Sequence, residues 1–366
     1  MAPADKINYV SPEMSTKEST SQTAYRLYRM MYLVRRAEEM LIAEYHPADQ
    51  MRCPIHFCVG QEAMPAAISG MLRREDVLMS HYRSHGYYLA KGGSLDAMVC
   101  EFYGKAAGAN GGVAGSMELA SHDHSFYSGA IVGGSLLIPM GSAFAQRYRG
   151  VDDISVSVMG DGSFDEGIVY ESFNLAALYK LPLLFICENN KYAAHTAMEK
   201  RLSTPQLCDR ARAFGLPAEK LDGNDPEQLL SALERLIPEI RAGKGPRFIE
   251  IETYRHSAHV GPQSDDTMKY RPADEIQSWK ARDPVVVMRK RLLSTGGMAE
   301  IERIEAEVEA QVSSAIAVAK NGEFPNFASM LASNWSGESA AVASKSISGA
   351  AATFEGGQSE ARLGPF

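Results

Sequence analysis

The sequence predicts an α/β fold, a mostly parallel sheet flanked by helices, on three observations. A β-rich run from Ile154 to Met159 ends in Gly160-Asp161-Gly162, then gives way to helical spacing from Glu166 to about Tyr179 and a second apolar run, Leu183 to Cys187. Another apolar run, Phe248 to Thr253, follows a helical segment from Pro226 to Ile240. Short β-rich and helical runs alternate through the interior without an internal repeat, which is the pattern of helices covering both faces of a parallel sheet.

In chain order, residues 1–22 are polar and are expected to form a flexible arm. From Thr23 to Tyr45, Leu, Tyr, Met and Ile recur at helical spacing, so the fold is expected to start there and to run as one domain over 23–335. Ser125 to Gln146 is uncharged, but its glycines, serines and Pro139 suit a buried core segment better than a lipid-spanning helix. The Ser/Ala/Gly-rich stretch 336–366 has too little apolar bulk to offset the entropy of ordering it, and disorder is expected. The first residues lack the marks of a secretory or transit peptide, and the five cysteines suit reduced thiols, so a cytoplasmic location is expected. With 37 basic against 45 acidic residues and a net charge of -8, neither nucleic acid nor an anionic membrane suits the chain as its main partner.

The two apolar runs around the 166–179 helix form a βαβ unit. Its crossover is right-handed, so both strands present their carboxyl ends on one edge of the sheet, the edge where α/β proteins bind ligands. Asp161 and Asn190, distant in sequence, can therefore face one pocket. Gly160, Gly162 and Gly167 offer open backbone N–H groups to an anion, and Asp161 with Asn190 offers the hard oxygens that magnesium takes beside phosphate. An Asp-Gly turn or an Asn-Asn loop end alone carries little information; their pairing across one βαβ unit carries more. The dinucleotide fingerprint requires glycine where Asp165 stands, and no phosphate-loop Gly-Lys-Ser/Thr ending occurs, so both nucleotide readings are demoted. Cys53-Pro54-Ile55-His56-Phe57-Cys58 lacks a second ligand pair with finger-like spacing, so its thiols are expected to pack rather than bind zinc. The strand that ends near Thr253 delivers Arg255 toward the same sheet edge.

The segment MGDGSFDEGIVYESFNLAALYKLPLLFICENNKY resembles the thiamine-diphosphate signature of 2-oxo acid dehydrogenase alpha subunits. The similarity runs from about Tyr25 to Asn326, through IHFCVGQEA, HYRSHGYYLAKG, GGVAGSMEL, FYSGAIVGG, TYRHSAHVGP and YRPADEIQSWKARDP. It implies the thiamine-diphosphate-binding fold, with Asp161, the Asn190 side chain and the Tyr192 carbonyl holding magnesium. Tyr82, Arg83 and Arg255 would hold the diphosphate together with Gly160, Gly162 and Ser163. Ile131 and Val132 would press on the bent cofactor. His85, His259 and His56 match histidines that serve substrate and proton transfer, a role suited to a side chain that donates or accepts near neutral pH.

The resemblance also implies a beta subunit that supplies the glutamate activating the aminopyrimidine, in an α2β2 assembly. The implied reaction decarboxylates a 2-oxo acid and passes the acyl unit to lipoyl on a partner acyltransferase. Glu118 in place of a histidine and the altered loop His-Val-Gly-Pro-Gln-Ser-Asp-Asp from His259 motivate an alternative in which the acyl unit goes to an aldehyde or ketone; Asp165-Glu166 in place of Asn-Gln is a further departure. A non-catalytic assembly subunit is disfavoured by the intact Asp161, Asn190, Arg83, Arg255, His85 and His259. Val260 stands where animal enzymes of the family carry a phosphorylatable serine, so that control is not expected.

Overall fold

The computed structural model describes residues 19–46, 51, 53–265, 268–326 and 330. The first eighteen residues of the expected arm and the whole 336–366 tail lie outside the described residues. The strands are β1 (Val77–His81), β2 (Ala120–Ser121), β3 (Phe126–Gly129), β4 (Ser155–Gly160), β5 (Leu183–Asn189), the hairpin β6 (Tyr192–Ala193) and β7 (Thr196–Ala197), β8 (Ala218–Asp222) and β9 (Arg247–Glu252). The helices are α1 (Thr20–Glu44), α2 (Ala63–Ile68), α3 (His85–Ala90), α4 (Leu95–Phe102), α5 (Gly134–Arg149), α6 (Gly167–Leu178), α7 (Leu207–Ala213), α8 (Pro226–Arg241), α9 (Ala273–Lys280), α10 (Pro284–Ser294) and α11 (Met298–Asn321).

Seven strands form one sheet in the order β2-β3-β1-β4-β5-β9-β8, and every pairing except β2 with β3 is parallel. The mostly parallel sheet flanked by helices is thus present. Alternate residues of the central strands feed two cores, as a two-residue side-chain period requires. Val156, Val158, Leu184, Ile186, Ile249 and Ile251 face a core shared with α1, α2, α4, α8 and α11. Met159, Leu183, Phe185, Cys187 and Phe248 face the other, shared with α5, α6 and α7. Burial on both faces explains why these strands read as continuous apolar runs.

Local chemistry sets the helix starts. Ser19 and Gln22 form a reciprocal capping box on α1, so that helix begins inside the stretch expected to be a flexible arm. Asp225 before Pro226 and Asp283 before Pro284 cap α8 and α10, each carboxylate accepting from two backbone N–H groups with proline in the first turn. The expectation that Ser125 to Gln146 is buried core holds for one face of α5, through Leu136, Met140 and Ala143, and fails for the other. Leu137, Ile138 and Phe144 are exposed there, as are Ile131, Tyr148, Leu178 and Tyr179, with Phe144 and Tyr179 in edge-to-face contact. Composition reads apolar residues, not the face on which they fall. No described helix is long and apolar enough to cross a membrane.

Candidate functional site

From β1 the chain builds outward to β3 on one side, and from β4 to β5 on the other, so the carboxyl ends of β1 and β4 flank a switch point of the sheet. A cavity of about 490 Å³ opens there. Its walls are His81, Tyr82 and Arg83 after β1, Gly160 to Ser163 after β4, and Asn190 and Tyr192 after β5, with Val132, His56 and His259 reaching in from loops. The glycine run leads first into a tight 3-10 turn, Asp161–Asp165, and α6 begins only at Gly167. A Cβ added at Gly160 would meet nothing within 4 Å, so a ligand can approach the backbone closely.

Arg83 is the one arginine or lysine among the lining residues, beside the carboxylates of Asp161, Asp165, Glu166 and Glu188. Its guanidinium is buried, donating from Nη1 to the Phe57 carbonyl and from Nη2 to the His259 carbonyl at 3.1 Å, and among the described residues no carboxylate forms an ion pair with it. Burial, reinforced by nearby Arg255, pulls its pKa down to about 10. A buried cation held by neutral carbonyls is costly, and an anion in the cavity would offset that cost. Across the cavity, Asp161 is buried and Asn190 Oδ1 accepts from the Tyr192 backbone N–H at 3.2 Å. Carboxylate, amide oxygen and carbonyl are the hard donors that a magnesium diphosphate would take, so the residues present fit that group.

Arg255, expected to join Arg83, does not line the cavity. It is fully buried, paired with Asp265 at 3.1 Å, and donates to the Tyr270 hydroxyl and the Ser257 carbonyl. Its charge is neutralised within its own loop. His85, expected beside the reacting atoms, is likewise off the cavity. Its Nδ1 lies 2.7 Å from Glu38 Oε1 and its Nε2 3.0 Å from Ser116 Oγ, with no exposure. The first turn of α3 points it back toward α1. Together with Cys58 these residues form a compact buried cluster, but the other Glu38 oxygen already accepts from the Cys58 backbone N–H, and burial pushes the Cys58 thiol up into its neutral form. That is a satisfied hydrogen-bond network. All five cysteines are unbridged.

His56 and His259 do meet in the cavity, edge to face with ring centroids 5.1 Å apart, and His56 also packs on Tyr82. Burial first, and the Arg83 charge second, pull His56 down to about 2 and His259 to about 3, so both rings are neutral near pH 7. His56 Nδ1 is buried without a hydrogen-bond partner among the described residues.

The glycine-rich loop between α4 and β2 is fastened by one side chain. The Glu101 carboxylate accepts from the backbone N–H groups of Asn110, Gly112, Ala114 and Gly115, all within 2.8 to 2.9 Å. Farther along that loop, Glu118 Oε1 accepts from the Ala130 N–H. This tie holds the turn that brings Val132 to the cavity, while Ile131 is 76% exposed beside it.

His81 and Glu188 line the cavity and had not been singled out from sequence, nor had Arg201 beside it. His81 Nδ1 accepts from the Arg83 backbone N–H at 3.0 Å, which leaves Nε2–H to donate to Glu188 at 2.9 Å; the Tyr87 hydroxyl donates to the other Glu188 oxygen. This dyad bridges the ends of β1 and β5 over β4 and fixes the start of the Tyr82-Arg83 segment. Arg201, after the β6–β7 hairpin, pairs with both Asp161 and Asp165. A basic residue in an irregular loop carries no sequence signal for this. His195 is exposed, packs against Tyr270 and lies near His259, which lines the cavity.

Residues 28–328 match the family described as dehydrogenase E1 component. The chain is 36% identical over 295 residues to the pyruvate dehydrogenase E1 component subunit alpha of Rhizobium meliloti (strain 1021), covering 80% of this chain and 84% of that protein. It is 32% identical over 321 residues to the chloroplastic subunit alpha-3 of Arabidopsis thaliana, covering 85% and 74%. It is 32% identical over 300 residues to the somatic, mitochondrial subunit alpha of Rattus norvegicus, covering 81% and 75%.

Proposed function

The chain belongs to the dehydrogenase E1 component family, and from that premise we propose that it is the thiamine-diphosphate-binding alpha subunit of a 2-oxo acid dehydrogenase. The observation that carries this reading to particular atoms is Arg83, a buried cation without a carboxylate ion pair among the described residues, in one cavity with Asp161 and Asn190. When bound, thiamine diphosphate supplies the electron sink that lets a 2-oxo acid lose carbon dioxide.

The chain's own residues then have distinct work. Arg83, Tyr82 and the open backbone from Gly160 to Ser163 take the diphosphate; Asp161, the Asn190 side chain and the Tyr192 carbonyl take magnesium. Val132 would pack against the bound cofactor and help keep water from it. Neutral His56 and His259, which meet in the cavity, hold the substrate carboxylate and carry protons. His85 orients the Glu38 and Ser116 network, and Arg255 shapes the loop that carries His259.

The names of the relatives favour acyl transfer toward a lipoyl carrier over carboligation. The exposed apolar residues Leu137, Ile138, Phe144, Tyr148, Leu178 and Tyr179, with Ile131 beside the cavity, support docking of a beta subunit that completes the site. The matched residues 28–328 fit within a single domain over 23–335. Unbridged thiols support a reducing, cytoplasmic setting.

The test combines this chain and its beta subunit with thiamine diphosphate, magnesium, a panel of 2-oxo acids, and either a lipoyl domain or candidate aldehydes. Carbon dioxide release with acylation of the lipoyl domain is expected. Product formed only with an aldehyde would transfer the protein to the carboligases, and full-rate decarboxylation by this chain alone would defeat the two-subunit assignment.

A further inference from the structure

Arg201 leaves the end of a 3-10 turn, Met198–Lys200, and reaches over the cavity wall to the Asp161–Asp165 turn. Every arm of its guanidinium is engaged: Nη2 on Asp161, Nη1 on Asp165, and Nε on the Thr196 carbonyl at 3.2 Å. The two carboxylates differ in setting. The Asp161 side chain is 2% exposed and the Asp165 side chain 34%, with Arg201 itself at 10%. One planar cation thus bridges a buried acid that faces the cavity and a wetter acid at its rim.

A carboxylate as buried as Asp161 needs a cation to stay charged and aimed. It has one in Arg201. A divalent ion that takes Asp161 as a ligand meets that guanidinium at close range, where like charges repel with little water between them. Rotation about the long arginine stem can carry the guanidinium from Asp161 while Nη1 keeps Asp165. Asp165 is also one of the two positions at which this chain carries an acid where the family resemblance leads one to expect an amide.

We propose that Arg201 is the resident counter-cation of Asp161, displaced by the divalent ion and received by Asp165. This rests on the assignment of Asp161 as a metal ligand. It makes Arg201 a positioning residue that sets metal affinity without touching substrate.

The test uses Mn²⁺ as the probe, with the full chain co-purified with its beta subunit and thiamine diphosphate held constant, and reads free Mn²⁺ by electron paramagnetic resonance. Arg201→Gln is expected to tighten Mn²⁺ binding about tenfold, since the competing buried charge pair is gone. Asp165→Asn is expected to weaken binding about threefold in the Arg201 chain and to have no effect in the Arg201→Gln chain, because Asp165 acts through Arg201. Unchanged or weaker binding by Arg201→Gln overturns the proposal, as does an equal Asp165→Asn effect in both backgrounds, which would mark a direct Coulomb contribution from Asp165. If Arg201→Gln fails to fold, Arg201→Lys, which keeps the charge but loses the two-pronged reach, is expected to bind Mn²⁺ more tightly than wild type; binding no tighter than wild type overturns the proposal. Asp161→Asn separates the two assignments. Loss of Mn²⁺ binding there, with no change in Arg201→Gln, defeats the counter-cation alone; full retention defeats the metal assignment and this proposal with it.

Discussion

Glu118 Oε1 accepts a hydrogen bond from the Ala130 backbone N–H at 2.8 Å, so a side chain on the glycine-rich loop holds the turn that brings Val132 to the cavity. A charged acceptor on a single N–H is worth about 1 kcal/mol net when the acceptor is exposed. Glu118→Ala is therefore expected to weaken thiamine-diphosphate binding about fivefold without altering the metal requirement, as read by calorimetric titration. Unchanged affinity would show that the turn holds itself.

Arg83→Met separates stability from binding. The variant loses two bonds to carbonyls but also removes a buried cation that forms no ion pair with a carboxylate among the described residues, so unfolding free energy in urea is expected to stay within about 1 kcal/mol of wild type. Cofactor affinity is expected to fall about a hundredfold, the loss of charge-assisted bonds to phosphate. A stable variant that still binds the cofactor normally would remove Arg83 from the diphosphate site.

His85→Ala is expected to act through stability. It strips the imidazole from Glu38, which has no exposure, and should cost about 3 kcal/mol in urea unfolding. His56→Ala is expected to cost turnover with a smaller change in stability, since Nδ1 has no partner to lose. A fully stable but inactive His85→Ala would return that residue to the chemistry.

Acid should destabilise the fold through His56 and His259. Their folded pKa values of about 2 and about 3 lie below the unfolded value of about 6.5. Between these limits the unfolded chain binds protons that the folded chain refuses, so their contribution is complete above pH ~6.5 and is lost as pH falls. His56→Phe is expected to lose up to about 1.4 kcal/mol less per pH unit than wild type from pH ~6 to ~4, measured by urea midpoints. Parallel pH profiles for the two proteins would contradict the neutral, buried state of His56.

The sheet edge was readable because its information is local. A strand ending in Gly160-Asp161-Gly162 and another ending before Asn190 fix their own geometry through the handedness of one crossover. The fate of the histidines was not readable in this way. His81 closes β1 and His85 opens α3, so the change from strand to helix between them decides which ring meets the cavity, and residue type does not report it. Arg255 is held off the cavity by Asp265 within its own loop, and Arg201 reaches Asp161 from a loop that carries no motif of its own, so neither pairing is written in local spacing. The uncharged 125–146 stretch misled for a different reason: a surface suited to cover by another chain has the same composition as a core.

The four N–H groups gathered by Glu101 give the loop from Asn110 to Glu118 an anchor independent of the side chains the loop displays. Met117, which borders the cavity, can therefore vary without unravelling its support. For an engineer this makes the loop a cassette: a library at Met117, with Glu101 left untouched, would sample altered substrate acceptance on an intact backbone. For the lineage it means that selectivity could drift by single changes on this loop while the chemistry at Asp161 and Asn190 stayed constant.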